Sequence, residues 1–353
     1  MTVRVRFAPS PTGSLHIGNA LSAVANRAFA AARAGVLVLR IDDTDPTRVA
    51  PGGEEAILDD LAWLGLAWDE GPFRQSERGS LYAAAVERAL AGGAVRDADG
   101  SIRLDGTTLM RADGTATYQL ASVVDDLELG ITHVIRGSDH RPNQAVHQRI
   151  AAALGRTFPQ VIHHGLVLGE DGRKLSKRHG HALASLAELR ADGIPGSAAR
   201  AYLEELDLPR HDVRLDLSRL RRLAIDAIEA MPDAELAEIA GAAVELVPVL
   251  RGARTLVEAR EIARLITHPD AVTLPDAARP TVERFTELRA AAADRLYGEE
   301  ARAIVRELKA VGGDLKALRL ALTGAERGPE LAAVVAALTR DEALRRVSAA
   351  IAG

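Results

Sequence analysis

A short alternating run, Val3-Arg4-Val5-Arg6-Phe7, leads into Ala8-Pro9-Ser10-Pro11-Thr12-Gly13-Ser14, then a helix-like run from Leu15 to Ala32, then the apolar run Val36-Leu37-Val38-Leu39. Strand, helix and strand within about forty residues make a βαβ unit, whose two strands lie parallel in one sheet. A strand buried on both faces of such a sheet is apolar throughout, so Arg4 and Arg6 mean that one face of the first strand meets solvent or a cleft. Pro9 and Pro11 fix the backbone as it leaves the strand, and Gly13 permits a tight turn. Ser14 reads as the N-cap, which predicts His16 in the first helical turn. That turn carries partial positive charge and unpaired donors, which suits phosphate, and Gly18 lets a ligand approach the backbone.

The parallel pattern continues along the chain. Arg40-Ile41-Asp42-Asp43-Thr44-Asp45-Pro46 follows the second strand, and Glu54 to Leu66 reads as a helix with Ile57, Leu58, Leu61 and Leu64 apolar. A second helix is expected over Leu81 to Leu90. Residues 91–117 are Gly- and Asp-rich and predict a small hairpin region between two halves of the fold. Ile131 to Ile135 and Val161 to His164 read as further strands, with a helix from Asn143 to Leu154 between them. Ligands of open α/β sheets bind at the carboxyl ends of the strands, so these four ends predict one cleft. From Ser185 onward the pattern is helical, with Leu236, Ile239, Ala240, Ala243, Val244 and Val247 on one expected face. Breaks are expected at Gly193-Ile194-Pro195, Pro209 and Pro269 to Pro280, and a capping box at Thr339-Arg340-Asp341-Glu342.

Composition narrows the chemistry. A chain of 353 residues supports two or three domains. It holds no cysteine, which excludes disulfides, thiol catalysis and cysteine-ligated zinc. No apolar run has the length of a membrane span, and the N-terminus is no signal peptide, so a cytoplasmic protein without a membrane partner is expected. A net charge of −5 excludes a general nucleic-acid coat. Arg210, Arg214, Arg219, Arg221 and Arg222 are interleaved with Asp207, Asp212 and Asp216, which reads equally as a solvated, ion-paired helix face or a local basic patch. Asp43 to Glu54 spans a twelve-residue loop, but Pro46 and Arg48 at its centre argue against a calcium loop. His163-His164 stands without further metal-spaced partners, so both are read as structural or cleft-lining and no metal site is predicted.

Lys174-Leu175-Ser176-Lys177-Arg178 follows Gly169-Glu170-Asp171-Gly172. Three cations and a hydroxyl on a loop suit a polyphosphate whose charge shifts in a transition state, and the pairing with His16 favours this over a merely exposed basic loop. These two motifs, with Arg40 to Asp45, resemble the signatures of the class I aminoacyl-tRNA synthetases. More narrowly the chain resembles the glutamyl-tRNA synthetases through Arg6 to Gly13, Asp42 to Asp45, Trp63-Leu64-Gly65-Leu66, Asp69-Glu70-Gly71-Pro72, Arg74 to Arg78, Thr117 to Ala121, Val123 to Asp126 and Val134 to Gly137. The likeness is nearly continuous from residue 3 to about 185 and returns at Leu318 to Gly324 and Gly328 to Leu331.

The resemblance implies an α/β fold: a Rossmann-like parallel-sheet class I synthetase catalytic domain over 1–184, carrying a reduced connective insert at 79–117, followed by an all-α C-terminal region. That region divides into a stem-contact-like part, 185–235, and an anticodon-binding-like domain, 236–353. It implies ATP-dependent activation of glutamate and transfer to tRNA(Glu) by a monomer, with Mg²⁺ and without zinc. His16, Gly18, Lys174 and Lys177 are the implied catalytic set, and Pro11, Thr12, Asn19 and Ser176 join them around ATP. Arg6, Ala8, Ser10, Asp42, Tyr118, Ser122 and Arg136 are implied to hold glutamate, and Asp45 and Arg48 to meet the tRNA acceptor end. The chain departs from the family in having Asp42 where Glu is usual and Ser122 where Asn is common. It also has a shortened insert and lacks the Trp and Asn usual near residues 215–222. Two rival readings follow: an enzyme like glutamyl-queuosine-tRNA(Asp) synthetase that activates glutamate for another acceptor, and a non-catalytic tRNA-binding regulatory paralog.

Overall fold

The first strand and the apolar run after the first helix pair as the βαβ pattern requires. β1 (Arg4–Phe7) and β2 (Val36–Ile41) lie parallel with Arg6 opposite Val38, joined by α1 (Ile17–Ala31). The computed structural model describes residues 2–173 and 185–352. They fall into two units, Met1–Arg190 with Gly196–Leu220, and Ala191–Pro195 with Arg221–Gly353. In the first unit, α2 (Gly53–Trp63) carries the chain to β3 (Glu70–Arg74), parallel to β2 on its other side. After α3 (Gly79–Ala91), the Gly- and Asp-rich stretch forms three antiparallel strands where a hairpin was expected: β4 (Val95–Arg96), β5 (Ile102–Leu104) and β6 (Thr107–Met110). Next come α4 (Tyr118–Glu128), β7 (His133–Gly137), α5 (Asn143–Ala153) and β8 (Gln160–His164), with β7 and β8 parallel. Tyr82, Ile102, Leu120, Val123, Val134, Ile150 and Phe158 belong to one buried cluster with Val38 of the first sheet.

The seam between β1 and β7 is closed largely by side chains. Thr132 donates its backbone N–H to the Arg4 carbonyl at 2.9 Å, and its hydroxyl accepts from Arg4 N–H at 2.9 Å. Further along, the Ile135 carbonyl accepts from Arg6 Nη1 at 3.3 Å and Asn26 Nδ2 at 3.1 Å. These bonds give the Ile135 carbonyl two side-chain donors from β1 and α1. The two arginines of β1 have different surroundings. Arg4 is held by both Glu70 carboxylate oxygens at 2.7 Å, while Arg6 lines the cleft.

Ser14 is not the N-cap of α1. His16 occupies that position with extended backbone and no side-chain cap, and the helix starts at Ile17. The Ser14 hydroxyl instead donates to Asp60 Oδ2 at 2.8 Å and accepts from Ala187 N–H. Asp60 also takes Leu15 N–H at 2.7 Å and Arg190 Nη2 at 3.2 Å. The turn is tied down further by Asp42 N–H on the Pro9 carbonyl and Ala50 N–H on the Pro11 carbonyl, both at 2.9 Å. Gly13 has φ +109°, the conformation its turn needs.

The first unit continues with β9 (Val167–Leu168), α6 (Leu186–Ala191, whose last residue belongs to the second unit), α7 (Gly196–Leu206) and β10 (Val213–Arg214), the last parallel to β9. The basic stretch is therefore not one helix face: Arg210 lies before β10, Arg214 on it and Arg219, Arg221 and Arg222 on the following helix, where Arg219 pairs with Glu205 at 2.5 Å. The second unit takes in most of α8 (Leu217–Ala230), with α9 (Asp233–Ala240), α10 (Val247–Leu250), α11 (Leu256–Thr267), α12 (Arg279–Ala291), α13 (Gly298–Ala310), α14 (Leu315–Thr323), α15 (Leu331–Ala337) and α16 (Arg340–Ala352). The face expected from Leu236 to Val247 is broken: α9 stops at Gly241, which is left-handed at φ +65°, and Val244 is exposed. The capping box at Thr339 is half made. Its hydroxyl accepts from Glu342 N–H, while the Glu342 carboxylate goes to Arg345 and Arg346.

One glycine sets how closely α2 approaches the loop before α1. A Cβ on Gly53 would stand 2.3 Å from the Pro11 carbonyl oxygen. Gly53→Ala is therefore expected to displace the loop and lower stability by about 1–3 kcal/mol. Urea unfolding of the purified variant measures this.

Candidate active site

The carboxyl ends of β1, β2, β7 and β8 do open on one cleft. Phe7, Asp42, Gly137 and His164 all line it, and its volume is about 460 Å³. Its walls also carry Arg6, Ala8, Ser10 and Thr12 from the first strand and the loop after it, and His16, Gly18 and Asn19 from the start of α1. Arg48, Tyr118 and Arg136 complete the predicted set that gathers there. Pro11 and Asp45 line a smaller adjoining recess of about 80 Å³, which shares Ser10, Asp42, Arg48 and Tyr118 with the cleft. Ser122 is not among the lining residues of either; it is 2% exposed, and its hydroxyl has no hydrogen-bond partner among the described residues. Lys174, Ser176 and Lys177 lie outside the described residues.

The α1 end of the cleft is electropositive by construction. The first intrahelical bond runs from Ala20 N–H to the His16 carbonyl, so the first-turn N–H groups before it have no acceptor within the helix. No acidic residue stands in that first turn. A Cβ on Gly18 would meet nothing within 4 Å, so the glycine leaves open space against the backbone. This arrangement accepts an anion.

At the other end lies a buried charge network. Arg40, 1% exposed, donates from Nε to Asp42 Oδ1 at 2.6 Å and from Nη1 to Asp126 Oδ1 at 2.8 Å. Asp126 Oδ1 also accepts from Arg6 Nε at 3.2 Å. Asp125 accepts from Arg78 Nε at 2.7 Å, Gln75 Nε2 at 2.8 Å and the Tyr82 hydroxyl at 2.9 Å. Within this network Arg6, Arg40 and Arg78 balance Asp42, Asp125 and Asp126. Arg136 is a further buried guanidinium on the cleft wall, and its Nε and Nη2 have no hydrogen-bond partner among the described residues. Burial and the nearby Arg6 both lower its pKa. A guanidinium short of acceptors is a receptor for a carboxylate.

The neighbouring groups titrate according to the same balance. Burial pushes the Asp42 carboxyl up even though Arg40 opposes it. Burial, reinforced by Asp42, raises the Tyr118 phenol. Behind Tyr118 sits the buried ring of His147, its centroid 6.0 Å away, held neutral by burial and by Arg136 with a pKa of about 3. Asp43 is occupied by Ser76, whose N–H and hydroxyl it accepts at 2.8 and 2.6 Å, and Asp45 accepts from Thr47 N–H at 3.1 Å.

Three anchors were given no role in the sequence reading: Asp60, Asp126 and Asn26. Their signal was a polar residue on an apolar stripe. Asp60 falls between Ile57, Leu61 and Leu64, and Asp126 lies in a helix buried from Leu120 to Leu127.

The sequence and the fold match known proteins. A family profile described as tRNA synthetases class I (E and Q), catalytic domain, matches residues 2–98 and 97–215. The sequence is 35% identical to glutamate–tRNA ligase 1 of Rubrobacter xylanophilus, over 99% of this chain and 98% of that protein. It is 34% identical to glutamate–tRNA ligase 2 of Paracoccus denitrificans, over 98% of both. The first alignment runs over 425 positions against a chain of 353, so that relative carries segments absent here. Among solved structures, a glutamate tRNA ligase from Elizabethkingia meningosepticum in complex with its amino acid superposes with a TM-score of 0.79 at 21% identity, covering 100% of this chain and 99% of that one. At that identity the superposition establishes the fold.

Burial pushes the Asp126 carboxyl up, but Arg6 and Arg40 overcome it and hold the group below the usual carboxylate range. A carboxyl with a depressed folded-state pKa contributes stability above its unfolded pKa of about 4 and loses it as pH falls through the folded value. Asp126→Asn should cost about 3–5 kcal/mol at neutral pH by leaving buried arginine unpaired. The gap to the parent should narrow below about pH 4 in urea unfolding.

Proposed function

Because the chain belongs to the class I tRNA synthetases of the glutamate and glutamine group, we infer that it is a glutamate–tRNA ligase whose cleft makes glutamyl-adenylate from ATP and passes the glutamyl group to tRNA(Glu). The carrying observation is Arg136, a buried cation short of acceptors at one end of a cleft whose other end is an uncapped helix start. Arg136 and Arg6 take the carboxylates of glutamate, with Tyr118, Ser10 and Ala8 shaping the pocket and Asp42 facing the ammonium group. His16, Gly18 and Asn19 receive phosphate oxygens beside Pro11 and Thr12. Lys174, Ser176 and Lys177 steady the departing pyrophosphate. Asp45 and Arg48, on the adjoining recess, meet the acceptor end of the tRNA.

The chemistry asks little covalent work of the protein. A carboxylate oxygen of glutamate attacks the α-phosphorus of ATP, the bond to the bridging oxygen of the β-phosphate breaks, and pyrophosphate leaves with that electron pair. The terminal ribose hydroxyl of tRNA then attacks the acyl carbon and AMP departs. Fixed cations and backbone donors stabilise the charge that develops, and no covalent enzyme intermediate forms. Mg²⁺ supplies positive charge to the phosphates when bound. Among the described residues no group of three or more His, Asp or Glu side chains is arranged to hold a metal. We read the enzyme as a cytoplasmic monomer. No described helix is long and apolar enough to cross a membrane.

ATP–pyrophosphate exchange with glutamate tests this reading. Exchange that requires tRNA(Glu) is expected. Exchange without any tRNA would favour the glutamyl-queuosine type of enzyme, and none under either condition would refute catalysis. Arg136→Gln should raise KM for glutamate at least about tenfold, the loss of a charge-assisted contact, with KM for ATP within about twofold of the parent. Lys177→Ala should slow adenylate formation while circular dichroism stays unchanged.

A further inference from the structure

Ser22 and His164, two polar residues of the cleft, have no part in the scheme above. Ser22 stands one helical turn after Gly18 on the same side of α1, and His164 ends β8; both line the cleft. Ser22 Oγ and His164 Nε2 are 2.8 Å apart, and His164 Nδ1 is 2.8 Å from the Gly165 carbonyl oxygen. A carbonyl only accepts, so Nδ1 carries the ring proton and Nε2 presents its lone pair. Burial lowers the His164 pKa, which keeps the ring in this neutral form. The Ser22 hydroxyl therefore donates to Nε2. The Gly18 carbonyl, at 3.4 Å, is the poorer competitor for the same proton. With that proton committed, Ser22 Oγ offers the cleft lone pairs only.

The rest of the cleft fixes what meets this oxygen. The carboxylate end is occupied by Arg6 and Arg136 and the phosphate end by the start of α1. Of the lining that remains, which also includes Asp139 and His140, the part formed by Ser22 and His164 with apolar Leu166 and Val167 offers a nucleoside both a polar acceptor and apolar surface. We propose that Ser22, its hydroxyl oriented by His164, accepts a hydrogen bond from a donor on the nucleoside half of ATP, either a ribose hydroxyl or the amino group of the base. The proposal rests on the adenylating reading. Ser22 is the contact residue and His164 a positioning residue acting through it. A site built as an acceptor gains little from a nucleotide that lacks the donor, so the pair adds selectivity as well as affinity.

The test is pyrophosphate exchange by the full chain with glutamate and tRNA(Glu), at varied ATP. Ser22→Ala should raise KM for ATP about three- to tenfold, the range of one neutral hydrogen bond, with KM for glutamate unchanged. Ser22→Thr, which keeps the hydroxyl, should restore most of the loss. Three analogues identify the donor: 2′-deoxy-ATP, 3′-deoxy-ATP and the triphosphate of purine riboside, which lacks the amino group. One of them should be penalised in the parent and not in Ser22→Ala. His164→Leu should weaken that discrimination with the serine in place. A parent-like KM for ATP in Ser22→Ala, or equal penalties for all three analogues in both proteins, would overturn the proposal while leaving the adenylating reading intact. Absence of exchange by the parent enzyme would remove that reading itself.

Discussion

A guanidinium placed in the middle of a parallel sheet is tolerable only if every charge around it is answered, and Arg40 is that group. Its strand is apolar up to that point, yet the side chain is as buried as its neighbours Leu39 and Ile41. Isolated, a buried cation costs several kcal/mol. Here Asp42 and Asp126 bond to it directly, and Asp125 lies 3.8 Å away. Asp42, Arg6 and the start of α4 take their positions from this arrangement. Asp42 is fixed by Arg40, Arg6 is fixed by the carboxylate it shares with Arg40, and α4, which carries Asp125 and Asp126, begins at Tyr118.

The consequence for chemistry is preorganisation. Charges already set against one another do not reorganise when substrate arrives, so the field they produce is available without further cost. On the cleft wall Arg136 keeps Nε and Nη2 without hydrogen-bond partners among the described residues, which suits an anion. At the opposite end the same logic operates through the backbone. Asp60, Gly53 and the Pro9 and Pro11 carbonyls hold the turn that leads into α1, whose first N–H groups have no acceptor within the helix.

The sequence revealed the parallel sheet, the insert and the gathering of strand ends, because periodicity and turn residues are local signals. That Arg6, His16 and Gly18 would stand beside the cleft was legible from a strand end and a helix start, while Tyr118 and Arg136 came from the resemblance; all five line it. What was not legible depends on partners far away in the chain. Ser14 looked like a cap because nothing nearby shows that Asp60 takes its hydroxyl. Arg4 and Arg6 looked alike until Glu70 and Asp126 separated them. The helix expected across Leu236 to Val247 had the right apolar spacing but contained Gly241, whose left-handed backbone ends α9.

The seam between β1 and β7 bears on how such a chain reaches its native state. The Arg4–Thr132 bond joins residues 128 positions apart, and Arg6 and Asp126 are 120 apart. Contacts this distant in sequence close late, after the entropy of a long loop has been lost. During synthesis β1 emerges first and then waits, its outer edge unpaired, until the chain as far as β7 has left the ribosome. Two arginines on that waiting strand, Arg4 later paired with Glu70 and Arg6 later on the cleft wall, keep it charged and poorly suited to pairing with another chain, so side chains that serve the finished fold also guard the nascent edge.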